Sequence, residues 1–380
     1  MLTRRNLLAT ASLAATACAR RKASGYSGFA FIANQEGEAV AAVDLTVFAV
    51  ARHIRVGGRP TLVIAHPRKP FLYVLTPENG TVHEIKTDIL AVSRKAVVAG
   101  SALSMRLAPD GRTLYVLCRQ PKALVRFDTA SFRPAGQIGL PSEPADFEVD
   151  REGRQAAVSY GPRHPLSLFD AGAHEAGRPV ETTGDMGTLR FLSTSQTLIA
   201  ANRGERMLSL YNVASRRLIV NLPLAVRPDN LCFKADGGEL FITGEGLDAV
   251  VIVSPFYTPY VEETVLAGHA PGVMAASVSA KASPQYLFIA NPQSGDVSIL
   301  DILTRRVVAV TSVGTQPGHV IITPDDRYAL VLNQGSGDLA VIRIANIARA
   351  AADFKRSRKA PLFMMVPVGS KPVSGAVVAI

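Results

Sequence analysis

QYLFIANPQSGDVSILDILTRRVVAVTSVGTQPGHVIITPDD, residues 285–326, packs four short apolar segments and the turns between them into forty-two residues. Its first segment, FIAN from Phe288, has counterparts along the whole chain. They are FIAN from Phe31, YVLT from Tyr73, YVLC from Tyr115, AVSY from Ala157, IAAN from Ile199, FITG from Phe241 and LVLN from Leu330. The steps between them are 42, 42, 42, 42, 42, 47 and 42 residues. A fixed period of this length is the mark of a repeat architecture.

Other features keep the same register. Tight-turn sequences precede the apolar segments: HPRKP at 66–70, PDGR at 109–112, REGR at 151–154, ADGGE at 235–239 and PDDR at 324–327. Asp, Gly and Pro suit such turns because they preset or tolerate the backbone angles required. Alternating segments such as VAAVD, ALVRFD and DVSILD follow and end near Asp44, Asp128, Asp170, Asn212 and Asp301. Their period of two fits strands. A third strand leads to a corner at Pro60, Pro144, Pro228, Pro271, Pro317 or Pro372. Four short strands in about 42 residues make one propeller blade.

The reading is therefore an all-β, eight-bladed β-propeller over residues 29–380, or seven blades if the weak unit 155–195 is incomplete. The domain begins on a second strand, Phe29–Asn34, and ends on a first strand, Gly375–Ile380, so the two are expected to share a blade and close the ring. The unit 241–288 is longer than the period, with five extra residues expected around SPFYTPYVEE. A basic, Ala-rich insertion at 346–361 suits a short surface helix and is expected to be a solvated insertion, the alternative being a contact site for anionic headgroups or a partner.

The N-terminus reads differently. MLTRRNLLATASLAATAC, residues 1–18, has two arginines, Arg4 and Arg5, then a short apolar run and a small-residue site ending in Cys18. This is the layout of a bacterial signal peptide. The TRRNLL stretch resembles a twin-arginine export signal. Small residues before Cys18 resemble a lipobox, which makes Cys18 the candidate lipidation site and residues 19–28 a flexible tether. The apolar run is too short to span a bilayer as a helix. The expected location is the periplasm or the envelope, with a lipid anchor.

Charge adds little. The formal net charge is +10, but residues 1–22 hold five cations and no acid, so the remaining domain stands near +5. Basic patches interleaved with base-stacking aromatics are absent, which argues against nucleic acid.

The repeat unit, a corner Pro, an apolar strand, a Pro-Asp-Gly turn, a Tyr-Val-x-Asn strand and a Val-x-x-Asp strand, resembles the YVTN-type β-propeller repeat of bacterial and archaeal envelope proteins. Its best-matching stretches are 106–118 and 285–326. Related propellers include lactonase-like proteins, haem d1 domains and quinoprotein dehydrogenases. The resemblance implies a fold and an envelope location. It does not fix an activity, because one fold hosts many functions.

Signatures of chemistry are sparse. Cys118 and Cys232 lie on apolar strands nearly three repeats apart and are expected to be unbridged. There is no C-x-x-C-H, so covalent c-type haem is excluded. Zinc, calcium, P-loop and nucleophile-elbow motifs are also missing, so no metal site is expected. In a four-stranded blade, the link into the innermost strand and the loop between the middle strands share one face. The corners on that face carry Arg59, Arg227, His269, Gln316, His319 and Lys371. The cationic members, Arg59, Arg227, His269, His319 and Lys371, form the candidate binding set for an anionic ligand such as a carboxylate, a phosphate or a haem propionate. The leading expectation is a non-catalytic binding or scaffold protein presenting loops to an envelope partner or small ligand. Its rival is an enzyme or cofactor-processing protein, lactonase-like or tetrapyrrole-handling, using the channel mouth.

Overall fold

Eight four-stranded antiparallel sheets form the ring. The structure, a computed structural model, describes residues 25–380 apart from 163, 178, 183 and 348–360. Arg4, Arg5, Cys18 and nearly all of the 346–361 insertion therefore lie outside the described residues. Blade 1 combines Gly28–Asn34, Ala39–Asp44 and Ala49–Arg55 with the C-terminal Pro372–Ala379, and blades 2 to 8 follow in chain order. The innermost strands are Pro372–Ala379, Leu62–Ala65, Ser101–Leu107, Pro144–Val149, Met186–Phe191, Asn230–Phe233, Met274–Ala276 and Pro317–Ile322, for blades 1 to 8 in turn.

The apolar second strands are the reason the ring forms. In YLFIAN every residue is buried, because both faces of a blade pack on neighbours. Leu287 and Ile289 join the seam with blade 6, while Phe288 and Ala290 join the seam with blade 8. Among the described residues there are eight apolar clusters, one for each seam. Burying each large side chain in them contributes about 1.5–3 kcal/mol.

The recurrent polar residues hold the turns and corners. Asp44, Asp128, Asp170, Asn212 and Asp301 each accept, through a side-chain oxygen, a backbone N–H two or three residues on, at 2.6–2.9 Å. His66 replaces the turn Asp in HPRKP, its Nδ1 accepting the N–H groups of Arg68 and Lys69. In blades 1 and 8 the Asn that ends the second strand clamps the link entering its own blade. Asn34 Nδ2 donates to the Val368 carbonyl at 2.6 Å, and Asn333 Nδ2 to that of Val313 at 2.9 Å. Blade 6 carries Gly244 at this place. A Cβ there would sit 1.6 Å from the Arg227 carbonyl oxygen, so backbone contact replaces the clamp.

Closure is as the terminal strands implied. Gly28–Asn34 pairs with Pro372–Ala379 on one side and Ala39–Asp44 on the other. Three details differ from the sequence-based expectations. Blade 4 is complete in count, but its outer strand is only Pro179–Val180. The preceding segment runs beside blade 3 instead and leaves a cavity of about 530 Å³ against Leu140, Tyr160 and Pro165. In the long unit, the turn 255–259 has one residue more than its equivalent 302–305. The loop 277–285 has four more than 323–327. Most of the extra length is thus before the second strand of blade 7, not at SPFYTPYVEE. Finally, Tyr26 is buried among Ala30, Leu45 and Tyr328, so packing begins at the near end of the expected tether.

Candidate functional site: the central channel

The ring's axis is walled by the eight innermost strands. Bulges interrupt them near their starts, between Ala102 and Ser104, Pro144 and Asp146, Met186 and Leu189, and Pro317 and His319. A strict period of two is lost there. Pro144, Phe147 and Asp150 are buried between blades, while Asp146 and Glu148 keep partial access.

Four residues on from each corner, one position repeats around the wall. In blades 3 to 6 it holds Arg106, Glu148, Arg190 and Cys232. In blades 7, 8, 1 and 2 it holds Ala275, Ile321, Ala376 and Ile64. Three consecutive positions, Arg106, Glu148 and Arg190, are charged, and the other five are not, Cys232 packing with the apolar seam of blades 6 and 7. On the charged half, Glu148 lies between two arginines, 3.2 Å from Arg190 Nη1 and 3.8 Å from Arg106 Nε. Asp146 backs Arg106 at 3.8 Å and accepts the Leu189 N–H at 3.1 Å. The Arg106 guanidinium also lies over the Phe147 ring, 5.5 Å from its centroid. Burial pushes the Glu148 carboxyl up from its ordinary range, outweighing the opposing pull of Arg106 and Arg190.

Arg106, Glu148 and Arg190 border a cavity of about 520 Å³ at the mouth formed by the turns between first and second strands. Phe191, Leu192 and Phe233 supply apolar wall. Arg106, Arg151, Arg190 and Lys234 supply four cations against Glu148 and Asp236. Lys234 pairs with Asp236 at 3.2 Å, and Arg151 is exposed at the rim. Two guanidinium groups and a third, Arg151, unpaired among the described residues, suit a carboxylate or phosphate at one hollow, because the planar fork offers paired donors.

A smaller chamber of about 210 Å³ lies further along the channel, bordered by Thr188, Arg190, Asp229, Cys232 and His319. Burial pushes the His319 imidazole down to about 4, so it is a neutral nitrogen donor near pH 7. Burial also pushes the Cys232 thiol up to about 11, which makes it a poor nucleophile. Among the described residues no three His, Cys, Asp or Glu side chains gather as a metal site.

The five cations expected at the corners come from consecutive blades, 6, 7, 8, 1 and 2. His319 is on the wall of the smaller chamber. The others sit at corners where acids of the middle-strand loops answer them. Arg227 pairs with Glu245 at 3.1 Å and with Asp229 at 3.3 Å. His269 Nδ1 is 2.9 Å from Asp248, and that contact raises its imidazole. Lys371 is 3.6 Å from Glu36. At the Arg59 corner it is the backbone N–H, not the guanidinium, that donates to Glu78, at 3.2 Å. The Gln316 corner borders an 830 Å³ hollow lined without a charged residue. The cation-rich hollow is at the opposite mouth, in residues the corner pattern passes over. Its signal is the column 64, 106, 148, 190, 232, spaced by 42 residues, where charge interrupts otherwise apolar strands.

Comparison with known proteins agrees on architecture. No family model matches the chain. The seven-bladed beta-propeller protein Rv1057 of Mycobacterium tuberculosis is 24% identical over 135 residues, which is 35% of this chain and 34% of that protein's length. Among solved structures, dihydro-heme d1 dehydrogenase NirN in complex with DHE superposes with a TM-score of 0.74 at 15% identity, over 92% of this chain and 75% of that one. Apo AztD from Citrobacter koseri gives 0.68 at 12% identity, over 93% and 98%. At these identities the likeness is one of fold: the chain is a β-propeller, here with eight blades.

Proposed function

We propose that this protein is an exported β-propeller of the YVTN repeat type, held at the cell envelope, that binds an anionic small molecule at the charged mouth of its channel without transforming it. The observation that carries this reading is the convergence of Arg106, Arg151, Arg190 and Lys234 on one 520 Å³ hollow with apolar walls. The raised carboxyl of Glu148 supports it, because a bound anion is repelled least by a carboxyl that gains a proton readily. Calorimetric titration with a panel of di- and tricarboxylates and phosphate esters tests it. Saturable binding is expected, weakened tenfold or more by Arg190→Gln, about the value of one charged hydrogen-bonded contact. Arg59→Gln and Lys371→Gln should leave it unchanged. A panel without a binder, or an Arg190→Gln protein that binds as well as the parent, overturns the reading.

A second reading is cofactor handling. Two observations favour it: the fold likeness to NirN over 92% of the chain, and the neutral His319 beside the cation-rich hollow. A carboxylate-bearing tetrapyrrole would use both features, its acid groups on Arg106 and Arg190 and its metal on His319. An absorbance titration with such a ligand separates the two readings. A shifted spectrum that His319→Ala abolishes supports cofactor handling, and an unchanged spectrum leaves the simple-anion reading.

A further inference from the structure

The corner at Gln316 stands apart from the rest of its face. The loops between middle strands are PQSG at 292–295 in blade 7 and QGSG at 334–337 in blade 8, and neither carries a charge. In blades 1, 2, 3, 5 and 6 the same loop holds at least one Asp, Glu, Lys or Arg. The link from blade 7 to blade 8, GTQP at 314–317, is also neutral. These three segments border the hollow of about 830 Å³, a volume usual for a small-ligand site. Charged groups on either side are already matched. The acids that follow the two loops, Asp296 and Asp338, accept the Asn291 and Asn333 amides. His269 is held by Asp248 and Gln293, and Lys371 by Glu36.

The hollow has a fixed frame and two unengaged amides. The Gln334 N–H donates to the Gln316 carbonyl at 2.9 Å, the Gly335 N–H to that of Thr315 at 3.0 Å, and the Val313 N–H to that of Gly295 at 3.0 Å. The link is thereby tied to both loops. The Gln334 carboxamide lies over Gly318, where a Cβ would sit 2.2 Å from its nitrogen. Neither the Gln316 nor the Gln334 side chain has a hydrogen-bond partner among the described residues. Ser294, Ser312 and Thr315 add hydroxyl groups to the lining.

We propose that this hollow is a second ligand site, taking a neutral, polyhydroxylated molecule of the saccharide class through the Gln316 and Gln334 carboxamides. Each carboxamide sets an acceptor beside two donors, a pattern that adjacent hydroxyl groups match. The lining holds no cation to favour an anion. An apolar ligand would strip water from the amides and hydroxyls without replacing their hydrogen bonds. A strand-like peptide needs free backbone groups, and the Gln334 and Gly335 N–H groups and the Gln316 and Thr315 carbonyls are taken. The hollow is on the face opposite the cation-rich one, so the proposal does not rest on the anion reading.

The test titrates the exported, processed protein with maltose, cellobiose, N-acetylglucosamine and N,N′-diacetylchitobiose, followed by saturation-transfer NMR. Glucuronate and triglycine serve as the charged and peptide controls. Saturable binding of at least one neutral sugar is expected, with weaker signals from both controls. Gln316→Ala and Gln334→Ala together should weaken it about tenfold or more, the loss of two hydrogen-bonded contacts. Gly318→Ala should weaken it severalfold by displacing the Gln334 amide while the thermal unfolding midpoint holds. Arg190→Gln should leave it unchanged. A panel in which no sugar binds, or sugar binding that survives the double substitution, overturns the proposal and leaves the anion reading standing. Stronger binding of glucuronate or triglycine than of every neutral sugar overturns it as well.

Discussion

The two halves of the channel wall are built on one backbone and held by different forces. In blades 7, 8, 1 and 2 the wall position carries Ala275, Ile321, Ala376 and Ile64, and packing alone explains it. In blades 3 to 5 it carries Arg106, Glu148 and Arg190, which trade apolar contact for ion pairs of 3.2–3.8 Å. Partly buried ion pairs rarely stabilise more than well-packed apolar residues of the same volume, because desolvation offsets their attraction. Stability does not account for the charged half; the anion binding proposed above would.

The largest effect expected on this contrast comes from packing. Phe288→Ala, at the fully buried seam of blades 7 and 8, should destabilise by about 3–5 kcal/mol in chemical unfolding, with little dependence on salt. Glu148→Gln comes next. It leaves Arg106 and Arg190 without their shared acid and should cost about 1–3 kcal/mol, with tighter anion binding in the same preparation. A loss of anion affinity would show that Glu148 orients the arginines instead of restraining them.

Acid should move the two halves in opposite directions. His319 is depressed to about 4, so the unfolded chain takes up its proton first. Its contribution to stability is present above about pH 6.5 and fades as pH falls toward 4. Glu148 is raised, so the folded chain takes up its proton first. Its contribution is greatest at low pH and fades as pH rises through the folded value. Melting temperatures across pH 4 to 7 should therefore fall less steeply for His319→Gln and more steeply for Glu148→Gln. The smallest effect is the most diagnostic. Replacing Arg106, Glu148 and Arg190 together by Met, Leu and Met should change stability by no more than about 1 kcal/mol in either direction while abolishing anion binding. A large loss of stability would make the ion pairs structural and remove the argument for a site.

The ring was legible in the sequence because its determinants are local and repeated. The Asn of FIAN recurs in four blades and the Asp or Asn of DVSILD in five, and the 42-residue step survives where they are replaced. Blade 4's two-residue outer strand was foreshadowed by the weak unit 155–195. The placement of the extra residues in blades 6 and 7 was not, because SPFYTPYVEE and SVSAKASPQ are both plausible loops and only pairing decides between them. The site was legible only in part. Corner cations stand out in the repeat, but the acids that answer them, Glu36, Asp248 and Glu245, lie on middle-strand loops and become partners only once the blade folds. Arg106 and Arg190 are the reverse. They look like interruptions within strands, and their common target appears only when 42-residue steps become neighbours around an axis.

The shared first blade has a consequence for how copies of this chain can meet. Until Pro372–Ala379 docks, the strand Gly28–Asn34 offers an unpaired inner edge that the terminal strand of another copy fits as well as its own, although its own is present at far higher effective concentration. At high concentration during refolding, two chains can exchange these strands and close two rings at once, giving a swapped dimer with every native pairing intact. The seam that completes the monomer is thus also a place where a second copy can stand in for the molecule's own strand.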